Sequence, residues 1–507
     1  MFAAQISLPL CDVINSSIRL GQWSKMYKHE SVTPVPKCFP PKSPDELRNI
    51  SGLLTFNKLA EAMIAELMIS DIMEKLDPSQ YANQEGLSLQ HYLIKMIYRV
   101  LSDTDNNSQG EVNAVIATLI DWKEAFPRQW PKLGIEAFIK CGVRGSLIPM
   151  LVNYLQDRTM KVKWNGSMST ERKLNGGGPQ GATFGIWEYL VQSNESADCV
   201  SPDNRFKFVD DLTVLEKVNL LLVGLASFNC HATVPSDIPA HNQFIPSEHL
   251  KSQEYLEKIK QWTDDQKMIL NQRKTKVMIF NFTENYNFTT KLQLNSENLE
   301  VVSQAKLLGV IISDDLKWDL NTDHIVKKAN KRMELLRKVA KFSTSIEDKR
   351  TIYILYIRSI LEQSSVVWHR SLTRENCEDL GRIQKCAVKV ILGKEYEKFE
   401  TYEDALSKAN LESLENRREE LCKKFAKKCL KNEKTRSMFP TNLKTHKMST
   451  RDEESFDVKF AHTGRLQNSA IPYMQRLLNK DEQVQTQNKK RKIENEEYLQ
   501  SKKRRPG

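Results

Sequence analysis

The chain contains no uninterrupted apolar run near the roughly twenty residues that a membrane-spanning helix needs, so a helical membrane anchor is not expected. Its start, Met1-Phe2-Ala3-Ala4-Gln5, has neither the basic opening nor the long apolar core of a secretory signal. Its nine cysteines are odd in number, scattered from Cys11 to Cys429, and never spaced C-x-x-C. That pattern argues against a disulfide framework or a zinc knuckle and fits a reducing compartment. No internal repeat with a period of about 20–50 residues is found, which excludes solenoids and propellers.

What is present is a chain of 507 residues, 40% hydrophobic and 27% charged, long enough for a large core and two or more lobes. Lys and Arg outnumber Asp and Glu by 75 to 64, for a formal charge of +11. Such a balance suits a polyanionic partner such as nucleic acid, or simple solubility; charge alone leaves both open.

Hydrophobic periodicity predicts helices over 12–20, 53–76 and 87–101, then a polar loop over 102–110. Residues 32–37 (V-T-P-V-P-K) read as an extended edge segment, because proline is tolerated there. Val112 to Ile120 reads as a buried strand ending at Asp121, and 135–155 as a helix interrupted near Gly142 and Gly145. A strand is expected over 159–164, a helix over 253–270, and strands over 276–282 and 307–312. From His324 the pattern turns helical, at 324–342, 347–363, 375–392 and 411–431. Cys422 and Cys429 share a helix face there, which suits core packing.

The chemistry-bearing stretch is Arg205-Phe206-Lys207-Phe208-Val209-Asp210-Asp211-Leu212-Thr213-Val214-Leu215. β-formers flank two adjacent aspartates, which reads as a hairpin with carboxylates at its turn. Taken alone, an Asp-Asp pair is an ordinary turn. Two hard oxygen ligands in that position also suit Mg²⁺ and phosphate chemistry. Asp121, leaving a buried strand, is a second carboxylate that a neighbouring strand can bring beside Asp210. Between them lies Asn175-Gly176-Gly177-Gly178-Pro179-Gln180-Gly181, whose glycines let backbone approach a ligand and whose Gln180 can hydrogen-bond a base or sugar. Further along the chain is Leu270-Asn271-Gln272-Arg273-Lys274-Thr275-Lys276, where Lys274 can face a triphosphate or protonate leaving pyrophosphate.

The order of these pieces resembles the successive motifs of reverse transcriptases, most closely those of non-LTR (LINE-like, jockey-like) retrotransposons. The matching positions are Asp121 with Phe126, Pro179-Gln180-Gly181, Phe208-Val209-Asp210-Asp211, Asn271 with Lys274-Thr275, and Leu308-Gly309. Segments 23–28, 32–37 and 47–51 resemble the family's fingers. Segments 356–362, 367–369 and 382–385 resemble its thumb and the region C-terminal to it. The likeness spans roughly residues 12 to 430. Departures are Pro127 where an acid is usual, Asn49 for a usual proline, Gly178 for a β-branched residue, and the run 185–190.

The resemblance implies an α+β right-hand polymerase: fingers over 1–110, a palm with an antiparallel sheet over 111–315, and a helical thumb over 316–400. A C-terminal helical region over 401–478 and a basic tail over 479–507 complete the chain. It implies an RNA-directed DNA polymerase, a nucleotidyltransferase that takes an RNA template, a DNA primer and dNTPs. Asp121 and Asp210 would hold two Mg²⁺ ions, with Asp211 supporting them in catalysis. Phe126 would be an aromatic gate against a ribose 2′-hydroxyl. Gln180, Gly181, Lys274, Lys37 and Arg48 would contact template or incoming nucleotide. Membrane association is not implied. An endonuclease domain is expected to be absent from this chain, and Met1 to open a truncated reading frame. The clusters Lys489-Lys490-Arg491-Lys492 and Lys502-Lys503-Arg504-Arg505 look like a bipartite nuclear import signal, hence a nuclear location, with a nucleic-acid-binding tail as the rival reading and a solvated charged tail as the plain one. The alternative is a non-catalytic RNA-binding remnant that keeps the hand-shaped groove; a telomerase-like or intron-encoded polymerase is a further rival.

Overall fold

The computed structural model describes residues 3–105, 112–179, 181–220, 243–283, 288–441 and 456–481. At its centre the strand Asn113–Ile120 pairs antiparallel with Lys276–Phe280 on one side and Asp211–Asn219 on the other. Arg205–Phe208 closes one edge, and the short Glu300–Val301 adds to the other in parallel. The central strand is apolar apart from the buried Asn113 and Thr118, because both its faces are covered, as in a sheet sandwiched between helices. Side chains alternate: Val115 and Ala117 face the helix Leu89–Asp105 and the helical C-terminal half, while Ala114, Ile116 and Ile120 pack with the helix Lys251–Asp265.

A second sheet is built on His29–Pro36, antiparallel to Leu47–Gly52 and parallel to Thr159–Trp164. The parallel pairing covers only 29–32, so Pro34 and Pro36, which have no N–H to donate, sit where the strand has a single neighbour and leave no ladder bond unmade on the open side. A third core joins the helices Thr55–Ile72, Pro131–Lys140, Ile148–Leu155 and Thr183–Gln192 around Trp23, Ile64, Phe138, Tyr154 and Phe184. From Asp319 the chain is helical, with long helices at Asp319–Val339, Arg374–Leu392 and Leu414–Leu430. Cys422 and Cys429 are both buried on the last of these. The architecture is α+β.

Several local expectations are corrected. The first helix begins at Ala3 rather than Asp12. Ser102–Asp105 continue the preceding helix instead of forming a loop, because the Asp105 carboxylate is consumed by the backbone N–H groups of His462 and Thr463, both at 2.8 Å. The helix predicted to Leu270 ends at Asp265, where Lys267 turns left-handed (φ 56°). Residues 307–312 are not one strand: Gln304–Leu307 and Val310–Ser313 form a hairpin whose turn is Leu308-Gly309 (φ 48° and 84°). The basic clusters of the tail lie outside the described residues, as does most of the segment between Asn219 and Gln243. Among the described residues, no helix is long and apolar enough to cross a membrane.

Candidate active site

The hairpin Arg205–Phe208/Asp211–Asn219 closes with Phe208 opposite Asp211, so Val209 and Asp210 form its tip. Val209 adopts φ 55°, which is strained for a β-branched residue. Gln80 holds it there: its side-chain oxygen accepts from the Val209 N–H at 3.2 Å and from the Ala82 N–H at 3.0 Å. The segment around Gln80 also bonds along Lys207, extending the edge of the hairpin.

The pairing of Ile120 with Leu212 brings the end of the central strand beside this tip. Asp121 comes directly after Ile120. Its carbonyl accepts from the Asn271 N–H at 2.7 Å, and its N–H donates to Thr275 Oγ1 at 3.3 Å. Lys123 N–H donates to the Ile269 carbonyl at 2.8 Å, so the segment 269–275 is stitched along the strand end. Lys274 is thereby presented to both Asp121 and Asp210.

Three carboxyls converge. Burial raises Asp121 above the ordinary carboxylate range, and Asp210 adds to this; Lys274, the Asn271 side chain and Lys37 pull it partly back. Asp210 is exposed at the tip, yet the cleft removes enough water to push its carboxyl up against the pull of its own backbone N–H, Arg48 and Lys274. Burial, then the charges of Asp210 and Asp121, push Asp211 up to about 6. One oxygen of Asp121, Oδ2, is buried without a hydrogen-bond partner. Burial is the leading cause of all three shifts, and repulsion from neighbouring carboxylates adds to it at Asp121 and Asp211.

These hard oxygen donors fit Mg²⁺ in kind. Among the described residues, however, no three His, Cys, Asp or Glu side chains are grouped closely enough to hold a metal between them. The ligand chemistry is present without a closed cage.

Around the carboxyls, Phe126 is half-buried with its ring 5.2 Å from that of Tyr189, tilted by 31°. Tyr189 is fully buried, its hydroxyl has no partner, and burial together with Asp210, Asp211 and Asp121 holds its proton on. Lys37 and Arg48 stand on the exposed tip of the 29–52 hairpin, where Val35 pairs with Arg48. They act on the site as charges: Lys37 on Asp121 and Arg48 on Asp210. Gly181 (φ 107°) lies against the same hairpin; a Cβ there would be 3.5 Å from the Ser51 carbonyl. Gln180 lies outside the described residues.

Sequence reading missed three participants. Tyr189, Gln129 and Gln80 carry no motif, and only the fold brings them to the site. Glu188 did leave a signal, as an acid inside the apolar run 184–191.

Sheet, strained hairpin and carboxyls thus meet at one end of the central strand. No protein-family model matches the chain. Its homologues are RNA-directed DNA polymerases of Drosophila melanogaster non-LTR retrotransposons. It is 26% identical over 368 residues to the probable RNA-directed DNA polymerase from transposon BS, covering 71% of this chain and 38% of that protein. To the probable enzyme from transposon X-element it is 28% identical over 188 residues, 36% of this chain and 20% of the relative. To the RNA-directed DNA polymerase from mobile element jockey it is 23% identical over 317 residues, 62% and 32%. The chain thus spans well under half the length of these curated relatives. Among solved structures, apo telomerase from Candida tropicalis aligns with a TM-score of 0.39 at 12% identity, covering 78% of this chain and 63% of that one. Telomerase from Candida albicans in complex with a TWJ fragment of telomeric RNA aligns with a TM-score of 0.36 at 11% identity, covering 79% and 68%.

Proposed function

We propose that the chain is an RNA-directed DNA polymerase that extends a DNA primer with dNTPs on an RNA template. The observation that carries this reading is the convergence of Asp121, Asp210 and Asp211 at the ends of two paired strands, with Lys274 facing them. Similarity to the transposon polymerases supports it.

Asp121 and Asp210 would hold the two Mg²⁺ ions, which when bound activate the primer 3′-hydroxyl and offset charge on the attacked phosphate. Asp211, which burial and the charges of the other two push up to about 6, supports them and shares their negative field. Lys274 is exposed, and so is free to meet a triphosphate or to give a proton to leaving pyrophosphate. Lys37 and Arg48 supply positive charge from the fingers side of the cleft. Phe126, braced by Tyr189, closes the pocket floor against a 2′-hydroxyl, selecting deoxyribose. Nuclear import through the basic tail belongs to the same reading and is checked by moving residues 482–507 onto a reporter protein.

The direct assay is dTTP incorporation on poly(rA)/oligo(dT). Incorporation that stops when Mg²⁺ is chelated is the expected result. Salt-sensitive binding of the same template-primer with no incorporation overturns the catalytic reading in favour of an RNA-binding remnant.

A further inference from the structure

The helix Thr183–Gln192 passes behind the gate and buries a carboxyl there. Glu188 is 1% exposed, and neither of its oxygens has a hydrogen-bond partner. Two glycines make room for it. A Cβ on Gly134 would lie 2.7 Å from Glu188 Oε1, and one on Gly178 would lie 3.0 Å from Glu188 Oε2. Gly178 also borders Gln129, whose side-chain amide lies 3.0 Å from the same point.

Gln129 connects three elements. Its carbonyl accepts from the Gly177 N–H at 2.8 Å. With its amide turned to satisfy both ends, its nitrogen donates to the Phe126 carbonyl at 3.3 Å and its oxygen accepts from the Tyr189 N–H at 2.8 Å. Gly177 (φ 80°) lies so close to the gate segment that a Cβ would be 2.8 Å from the Pro127 carbonyl. Gate, glycine loop and helix therefore meet at Gln129, with Glu188 beneath.

We propose that Gln129 and Glu188 form a buried latch that clamps the 176–179 loop onto the gate segment, making Glu188 a positioning residue for nucleotide selection at Phe126. The significance for nucleotide selection rests on the polymerase reading above; the latch itself does not.

The latch works with a neutral carboxyl, because a pocket that offers neither Glu188 oxygen a hydrogen-bond partner cannot compensate a buried charge. Burial pushes Glu188 up to about 8, only partly opposed by Arg158. Arg158 is itself taken by Glu30 at 2.7 Å. Gly178 of the loop lies between Gln129 and Glu188; on the helix Pro131–Lys140 the charged Lys132, Glu136 and Lys140 are exposed, and on the helix Thr55–Ile72 the buried Glu61 accepts from the Thr183 N–H at 2.8 Å at the start of the Glu188 helix. An ionised Glu188 would be a buried charge without a partner, which the loop relieves by opening.

Hydrogen exchange of the Gly177 amide, corrected for intrinsic rate, tests the latch without reference to activity. In the wild type its protection is expected to fall by about tenfold between pH 6.5 and pH 9, as the carboxyl ionises. In Glu188→Gln, isosteric and neutral, protection should stay at the low-pH level throughout. Gly134→Ala, which presses on Glu188 without changing charge, should loosen Gly177 at both pH values. The same pH dependence in Glu188→Gln, or none in the wild type, overturns the latch. In primer extension the nucleotide KM should rise with pH in the wild type and stay flat in Glu188→Gln, with kcat alike; a parallel rise in both removes the positioning role. Absence of wild-type incorporation overturns the polymerase reading instead, and the exchange data still decide the latch.

Discussion

The Asn271 N–H donates to the carbonyl of Asp121 at 2.7 Å, and this one bond sets where two distant pieces of chain meet. It fixes the turn bearing Lys274 against the strand end bearing the carboxylate. Thr275 completes the stitch from a fully buried position. Replacing it by valine leaves the Asp121 N–H without its acceptor at nearly constant volume. Thr275→Val should cost about 1–2 kcal/mol in urea unfolding and lower incorporation, whereas Thr275→Ser should retain both. Equal stability of the two variants would remove this anchoring role.

Phe126 is expected to discriminate by bulk. Truncation in Phe126→Ala opens the floor beside Tyr189, so ribonucleotide use relative to deoxyribonucleotide should rise by about tenfold or more. Competition between rUTP and dTTP on one template measures it. An unchanged ratio with a lower overall rate would make Phe126 a packing residue.

The hairpin that carries Asp210 is held from behind by charge. Asp77 contacts Lys207 Nζ at 2.7 Å and Arg205 Nε at 3.1 Å, all three side chains being buried. Burial pushes the Asp77 carboxyl up, but Lys207, then the Ser79 N–H and then Arg205 together outweigh it and hold it below its usual range. Asp77→Ala would strand a buried ammonium and should cost about 3–5 kcal/mol. The double variant Asp77→Ala/Lys207→Met should recover part of that loss. No recovery would show that the pair is not the source of the cost.

Two buried histidines give the fold an acid limit. Burial pushes His91 and His369 down to about 4, aided by Lys95 and Lys428 at the first and Arg418 at the second. Both are therefore neutral when folded, and the unfolded chain binds protons more readily below about 6.5. Their contribution is complete above that value and is lost as pH falls from about 6.5 towards 4. His91 packs on Phe425 and sits 3.3 Å from Cys429 Sγ, so the loss loosens the helix Leu414–Leu430 from the helix Leu89–Asp105. Denaturation midpoints measured from pH 7.5 to 4.5 should fall, and His91→Phe should flatten the curve.

The strands carrying the carboxyls were legible because one is a short, mostly apolar run ending at Asp121 and the other alternates Arg205, Phe206, Lys207 and Phe208 up to the turn at Asp210. Asp121 and Asp210 announce themselves as charges at the ends of such runs. Lengths of elements were less legible. Asp105 looks like a loop residue until one sees that it receives the backbone of His462 and Thr463, more than 350 positions away. Leu308-Gly309 lies inside an apolar run, and nothing local separates a buried strand from a hairpin with a two-residue turn there. Tyr189, Gln129 and Gln80 were invisible for the same reason: each acts through backbone or ring contacts made only by tertiary packing. Glu188, an isolated acid among apolar neighbours, was the one hidden participant that local pattern could have flagged.

The central claim is that the carboxyls at the hairpin tip perform nucleotidyl transfer. Mg²⁺-dependent dTTP incorporation on poly(rA)/oligo(dT), comparing the wild type with Asp210→Ala under conditions where both bind template-primer equally, tests it most directly. Incorporation by the wild type and none by Asp210→Ala is the predicted result. Extension that survives the substitution, or its absence from the wild type, would contradict it.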